Sequence, residues 1–127
     1  MEERKRLPDS ELDIMLAVWR ADGRITAPQI MGAMERPLTA GALHTYLKRL
    51  EEKGFLSCEK EGKTNFYTAL VGRGDYEGSE GRAVLDKLYG KSLGRFAAAL
   101  YDGGKLTRED VEELREFLDG VEEWMLE

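Results

Sequence analysis

Residues 39–54 of this 127-residue chain have the sequence TAGALHTYLKRLEEKG, which contains the clearest helix signal of the chain. Thr39 can cap a helix and Gly54 suits the left-handed position after a helix end, so the segment predicts a helix over residues 40–53. One face of that helix carries three leucines at helical spacing: Leu43, Leu47 and Leu50. The opposite face carries short, polar or cationic residues: Gly41, His44, Thr45, Lys48 and Arg49. We expect the leucines to be buried and this second face to be exposed.

Two shorter helices are predicted ahead of this segment. Ser10 is the expected N-cap of the first, which has apolar residues at the spacing of one buried face and ends near Gly23. Residues 26–29, Thr-Ala-Pro-Gln, repeat the start signal for a second helix. That helix is expected to end near Glu35, because Pro37 forbids much continuation.

Two β-prone segments follow the third helix, at residues 55–60 and 64–70, and the glycine-containing turn 61–63 joins them as a hairpin. Cys58 falls at an inward position on the first of these strands, where a small buried thiol is the expectation. Three helices followed by a hairpin is the order of a winged helix-turn-helix domain, whose third helix enters the major groove of DNA.

The C-terminal part of the chain is predicted to be a linker followed by helices. Residues 72–81 contain four glycines and no apolar periodicity, which indicates the linker. Helices are predicted over residues 82–89 and 93–101, and Thr107 is expected to cap a final helix. Apolar residues in that final helix keep a heptad-like alternation of three and four residues.

The apolar stripe of these last helices has little of its own chain to bury against, so pairing with a second copy is the economical interpretation. The candidate dimerisation residues are Leu93, Phe96, Leu100, Val111, Leu114, Leu118, Val121 and Trp124. The expected fold is therefore mainly α with a small β-hairpin wing. It comprises a winged helix-turn-helix DNA-binding domain at residues 1–71 and a helical dimerisation region at residues 72–127.

The charges divide along the same boundary. The whole chain has a net charge of -6, which by itself argues against nucleic-acid binding. Residues 1–71, however, contain 11 Lys and Arg against 11 Asp and Glu, whereas residues 72–127 contain 8 against 14. The N-terminal part is therefore neutral, and the acid is concentrated in the C-terminal part.

The cysteine and histidine content of the chain does not support catalysis or metal binding. A single cysteine and a single histidine, Cys58 and His44, exclude an intrachain disulfide, a zinc finger and a credible nucleophile with its base. We therefore expect no enzyme activity, no metal and no cofactor. No apolar run approaches the roughly 20 residues of a membrane span, so a cytoplasmic protein that does not contact the membrane is expected.

Double-stranded DNA is the partner that the winged-helix order favours. His44 and Thr45 are the candidates for base edges, whereas the Thr39 cap can take a phosphate at the helix N-terminus. Further phosphate contacts are expected from basic residues on the helix and the wing: Lys48, Arg49, Lys53, Lys60 and Lys63. The basic N-terminal residues 4–6 are expected to do the same.

A different class of function is open at this point. Small three-helix domains with a hairpin also serve as protein-interaction modules, and Lys-Arg pairs on helices are usually solvated. The alternative is an acidic helical module that binds another protein and no DNA. Salt-dependent binding of random duplex DNA discriminates the two, because an adaptor of this net charge should show none.

Several motifs resemble the penicillinase-repressor family, of the BlaI/MecI/CopY type. The motifs that carry the resemblance are SELDIM at residues 10–15, VW at 18–19, LHTYLKRL at 43–50 and KGFL at 53–56, with weaker ones at 66–67, 106–107 and 112–114. The resemblance covers nearly the whole chain. It implies a homodimeric repressor whose winged-helix domains occupy the two halves of a palindromic operator, with the last helix in the dimerisation region.

Some positions depart from that family pattern. Ala42 and His44 stand at groove-facing positions where relatives commonly carry a Thr and a basic or polar residue, so a different operator is expected. Several relatives are cut by a membrane-bound sensor protease at an Asn-Phe bond, where this chain has Ala99 and Leu100. Cleavage of that kind is not expected here, and any upstream sensor protein is unknown. No cysteine follows Cys58, which excludes the C-terminal copper site of one branch.

Overall fold

Proline and threonine residues set the starts of the first helices in the computed structural model, which describes the backbone of residues 6–126 and the side chains of residues 6–125. The chain order of the elements is α1 (Asp9–Ala21), β1 (Ile25–Thr26), α2 (Ala27–Ala33), α3 (Ala40–Glu52), β2 (Leu56–Glu61), β3 (Thr64–Ala69), α4 (Arg73–Leu88), α5 (Leu93–Asp102) and α6 (Arg108–Leu126). The chain divides into two compact units between Glu80 and Gly81. The fold class predicted from the sequence, mainly helical with a small β-hairpin wing, is confirmed.

The caps predicted for α2 and α3 are present. The Thr26 hydroxyl oxygen accepts a hydrogen bond from the Gln29 backbone N–H, and the Gln29 side chain accepts one from the Thr26 N–H. The Thr39 hydroxyl oxygen accepts from the Ala42 N–H at 3.1 Å. Each cap satisfies backbone donors that have no partner inside the helix, and α2 ends at Ala33, two residues before the predicted end.

The cap predicted for α1 is wrong. The helix begins at Asp9, so Ser10 lies in its first turn, and no side chain caps it. The backbone explains this start, because the Leu12 N–H donates to the carbonyl oxygen of Pro8 and the φ of Pro8 is already -58°. At the other end, Asp22 adopts a left-handed φ of 51°.

The sheet has three strands in the order β1-β3-β2, all antiparallel, whereas the sequence predicted only the hairpin. Strand β1 is two residues long, too short to give a periodic signal. Glu61 pairs with Thr64, so the hairpin turn is the two residues Gly62 and Lys63 rather than the predicted three. Gly62 has a φ of +60°, which two-residue hairpin turns require.

The core of the N-terminal unit lies between the helices and the inner face of the sheet. The predicted leucine seam of α3 is buried, as are residues of α1, α2 and β3: Ile14, Met15, Val18, Ile30, Leu43, Leu47, Leu50 and Tyr67. Because three-residue and four-residue spacing aligns the leucines on one side of α3, the other side faces solvent.

The linker predicted for residues 72–81 is wrong, because α4 begins at Arg73 and continues to Leu88. Tyr76 accounts for this. Its side chain is only 5% exposed, its ring lies 5.8 Å from both the Trp19 and Phe55 rings, and its hydroxyl accepts from the Leu7 N–H at 2.9 Å. Burial of one large aromatic ring outweighs the helix-breaking tendency of the glycines around it.

The C-terminal unit consists of the end of α4 together with α5 and α6, whose starts are capped as predicted at Thr107 and also at Ser92. The Ser92 hydroxyl oxygen accepts from the Arg95 N–H, while Thr107 and Asp110 cap each other reciprocally. Hydrogen bonds to the Asp110 carboxyl from Thr107, first from its backbone N–H and second from its side chain, hold the pKa of Asp110 below its ordinary value. Among residues 81–125, Leu85 is the one buried side chain.

Candidate nucleic-acid interface

The face of α3 opposite the leucine seam is exposed, as the spacing predicted. Gly41, His44, Thr45, Lys48 and Arg49 are all exposed, and Ala42 is half-buried at the edge of the face. At 100° per residue, Gly41, Thr45 and Lys48 form one row along the helix, and the exposed Glu52 continues it by one turn. The row therefore carries its one cation at Lys48 and a carboxylate one turn later, so its charge suits a polyanion only as far as Lys48.

Small side chains leave the start of α3 open. A Cβ added to Gly41 would meet no atom of the protein within 4 Å, so the packing of this chain does not require glycine there. The Thr45 hydroxyl donates to the Gly41 carbonyl oxygen at 3.0 Å, and the Thr45 side chain is exposed. The Thr39 cap lies at the same end of the helix.

The two cations on the exposed face of α3, Lys48 and Arg49, differ in their contacts. The Arg49 guanidinium lies 5.5 Å from the centre of the half-buried Tyr46 ring, which restricts its freedom. Lys48 forms no ion pair with any residue of the described chain. Both charges are available for phosphate oxygens without breaking an existing pair.

The wing separates its charges between its two faces. Lys60 lies opposite Asn65, on the sheet face that also carries the buried Leu56 and Tyr67 and packs on the helices. Glu59 and Glu61 lie on the opposite, outer face, because successive side chains of a strand point to opposite faces. Lys63 lies in the turn between the strands and is exposed, and Lys60 lies on the sheet face opposite to the two carboxylates.

Arg24 is the residue of this region that sequence reasoning missed. Its guanidinium donates to Glu61 at 2.7 Å and stacks 4.0 Å above the Phe66 ring on the outer face. The Arg24 hydrogen bond lowers the pKa of the Glu61 carboxyl, and the same bond raises the pKa of Arg24. The two residues are 37 positions apart, so no local pattern could have indicated the pair.

Two predicted phosphate contacts are not free in the structure. Lys53 donates to a carboxylate oxygen of Glu11 at 2.5 Å, and we therefore leave it out of the interface. Arg6 pairs with Glu80 at 2.8 Å. The other basic residues of that group, Arg4 and Lys5, lie outside the described residues.

Cys58 is half-buried on the inner face of β2, opposite Tyr67, close to its predicted position. Burial, and next the neighbouring Cys58, raise the pKa of the Tyr67 hydroxyl. Within residues 6–126, no cluster of His, Cys, Asp and Glu could hold a metal ion. None of the helices described is long and apolar enough to cross a membrane.

The predicted dimerisation residues lie on α5 and α6 with much of their surface uncovered. Leu93, Phe96, Val111, Leu114, Leu118 and Trp124 are exposed, and Leu100 and Val121 are half-buried. Exposed Tyr101, Phe117 and Met125 extend the apolar surface beyond the predicted set. Their role stays a prediction.

Comparison with known proteins gives one consistent family. The family model described as Penicillinase repressor matches residues 7–120. The Penicillinase repressor of Bacillus licheniformis is 25% identical over 121 residues, which cover 94% of this chain and 94% of that protein. An uncharacterised 16.5 kDa protein of Latilactobacillus sakei is 29% identical and covers 92% of this chain and 81% of its own.

A third relative is the methicillin resistance regulatory protein MecI of Mammaliicoccus sciuri, 23% identical over 116 residues, which cover 89% of this chain and 93% of that protein. Members of the matched family regulate transcription and are not enzymes. The resemblance drawn from the sequence motifs is thus confirmed, and the chain belongs to the penicillinase repressor family of DNA-binding transcriptional regulators.

Proposed function

We propose that this protein is a repressor that binds a palindromic operator as a homodimer, with α3 of each copy in the major groove. Residues 1–71 read the DNA, and residues 72–127 pair the two copies. The observation that carries the proposal is the exposed row of α3, which begins with Gly41 and runs to Lys48, a lysine that forms no ion pair with residues 6–125. Repression is steric, because the bound dimer covers the operator.

The presence of glycine at position 41 supports a close approach of α3 to DNA. Glycine within a helix costs up to about 1 kcal/mol relative to alanine, and the space beside Gly41 would accept a Cβ without a clash. The absence of a side chain leaves the backbone at Gly41 accessible to a partner that comes close to the helix. The major groove, about 12 Å wide, admits a helix whose N-terminal side chains are short.

The remaining contacts divide into those that specify and those that position. His44 and Thr45, both exposed, face the base edges, with Ala42 beside them, and a threonine methyl group can contact the methyl group of thymine. The amides at the Thr39 cap receive a phosphate. Lys48 and Arg49 on the helix, and Lys60 and Lys63 on the wing, neutralise neighbouring phosphates.

The exposed apolar surface of the C-terminal unit supports the pairing of two copies. With Leu85 as its one buried side chain among residues 81–125, this unit has no core of its own, yet it presents a broad apolar surface on α5 and α6. Such surfaces mark interaction sites. A second copy offers the same surface related by a two-fold axis, which matches the symmetry of a palindrome.

Two linked reading domains also explain how a neutral domain can bind tightly. A domain with a few phosphate contacts binds DNA weakly and in a salt-sensitive way. Once one domain of the dimer occupies its half-site, however, the linked second domain is held at a high effective concentration near the other half-site. The proposal places the protein where operator DNA is, in agreement with the cytoplasmic location expected from the sequence.

Selection of bound duplexes from a random DNA pool tests the proposal. We expect an inverted repeat, bound by two chains per duplex with a strong salt dependence. Gly41→Leu should abolish binding to the selected duplex without unfolding the protein. Gly78→Leu, at another glycine with open space around it, is the matched control and should bind normally. Absence of any salt-dependent binding would instead support the acidic protein-interaction module.

A further inference from the structure

A buried carboxylate lies beneath the C-terminal end of α3. The Glu11 side chain is 2% exposed, and its one ion-pair partner among the described residues is the Lys53 ammonium group at 2.5 Å. The Lys53 side chain is itself only 31% exposed. A charge removed from water in this way is stable only while a partner neutralises it, so the two side chains are constrained to one arrangement.

The pair joins two helix ends of opposite polarity. Glu11 lies in the first turn of α1, where the free amides carry partial positive charge, and Lys53 is the C-cap of α3, where the free carbonyls carry partial negative charge. Each charged side chain is therefore stabilised by the partial charge at its own helix end as well as by the other side chain. The bond fixes the end of α3 against the start of α1.

The backbone just after Lys53 strengthens this anchor. The Gly54 N–H donates to the Glu51 carbonyl and the Phe55 N–H donates to the Leu50 carbonyl, which is the Schellman arrangement. Gly54 has the positive φ of +82° that this motif needs, and Leu50 and Phe55 are both buried. The C-terminal end of α3 is held by backbone, apolar and ionic contacts together.

We propose that Glu11 and Lys53 are positioning residues that set the orientation of α3 for operator recognition, an inference that rests on the function proposed above. Lys53 acts through Glu11 and touches no phosphate. A helix fixed at its C-terminal end presents its N-terminal residues to the bases at one angle, so loss of the anchor loosens sequence discrimination. Phosphate contacts depend less on the exact orientation of α3, because they carry no sequence information.

The test compares Lys53→Met with Lys48→Met on the same helix. The probes are the duplex selected from the random pool and a duplex of the same composition with shuffled sequence, each measured over a range of salt concentrations. For Lys53→Met we expect the affinity ratio between the two duplexes to fall at least tenfold, with an unchanged salt slope. For Lys48→Met we expect the ratio to persist and the slope to fall by about 1.

Two further variants separate positioning from stability. Lys53→Arg keeps the charge and should restore the affinity ratio. The double variant Glu11→Leu with Lys53→Met leaves no unpaired buried charge and should fold with a near-normal unfolding temperature, yet keep the lowered ratio. A double variant with the full wild-type ratio, or a lower salt slope for Lys53→Met, would overturn the inference.

A measurement without DNA distinguishes failure of the anchor from failure of the proposed function. Hydrogen exchange at the Gly54 and Phe55 amides should accelerate about tenfold in Lys53→Met and remain slow in Lys53→Arg. Unchanged exchange in Lys53→Met would contradict the anchor whatever the protein binds. A selection in which the wild-type chain retains no duplex, with the exchange result as expected, would contradict the proposed function alone.

Discussion

The indole N–H of Trp19 donates to the carbonyl oxygen of Val71 at 2.8 Å and so ties α1 to the segment between β3 and α4. The Trp19 ring also lies against Tyr76 in the first turns of α4. These two contacts connect the start of α4 to the core of the N-terminal unit.

Replacement of Trp19 by phenylalanine should therefore destabilise the protein. Trp19→Phe leaves the Val71 carbonyl without its indole donor, and we expect the free energy of unfolding to fall by about 1–2 kcal/mol. Urea denaturation followed by circular dichroism measures this. Tyr101→Phe is the control, since the exposed Tyr101 hydroxyl has no hydrogen-bond partner among the described residues. Wild-type stability in Trp19→Phe would show that this bond does not matter.

The glycine-rich start of α4 should depend on Tyr76. Tyr76→Ala removes a buried ring and its hydrogen bond to Leu7, so we expect a loss of about 3 kcal/mol and fast hydrogen exchange over residues 73–80. Gly78→Ala should have the opposite sign, a gain of up to about 1 kcal/mol, because its added Cβ meets no atom within 4 Å. Slow exchange in folded Tyr76→Ala would mean that α4 forms without this anchor.

The Arg24–Glu61 pair predicts a pH effect on the wing. Because the pKa of Glu61 is lowered in the folded protein, the contribution of the pair is present above the unfolded value of 4.5 and is lost as the pH falls through the folded value. An NMR titration of the Glu61 carboxyl carbon should give a midpoint below 4.5. In Arg24→Gln the midpoint should return toward that value, and a midpoint that does not move would exclude Arg24 as the cause.

The apolar surface of α6 should determine both pairing and operator affinity. Leu114→Glu combined with Leu118→Glu places two charges on that surface, and we expect a monomer by analytical ultracentrifugation. Its affinity for the selected duplex should fall by about 100-fold or more, since the avidity of two linked domains is lost. Glu113→Gln combined with Glu116→Gln is the control and should remain a dimer. A proven monomer with undiminished affinity would refute the role of pairing.

The parts of the fold that the sequence predicted are those set by local chemistry. Thr26, Thr39 and Thr107 each cap the helix that they were expected to cap, because a hydroxyl needs only the amides of the next turn. The leucines of α3 were placed correctly because their spacing alone defines a face. The exposed row of α3 followed from the same spacing.

The parts that were missed depend on residues far apart in the chain. Residues 73–81 are helical because Tyr76 meets Trp19 and Phe55, and the glycines give no sign of that burial. Strand β1 exists only through its pairing with β3. Lys53 lies 42 positions from Glu11, so from the sequence it could not be told apart from a lysine that faces phosphate.

The direct test of α3 as the reading helix is a second selection experiment with two single variants, His44→Ala and Lys48→Ala. We predict that His44→Ala selects an altered sequence, since it removes the base contact proposed for His44. Lys48→Ala should select the wild-type sequence, bind every duplex more weakly and show a salt slope smaller by about 1. Identical selected sequences and identical salt slopes for both variants and the wild-type chain would contradict the placement of α3 in the major groove.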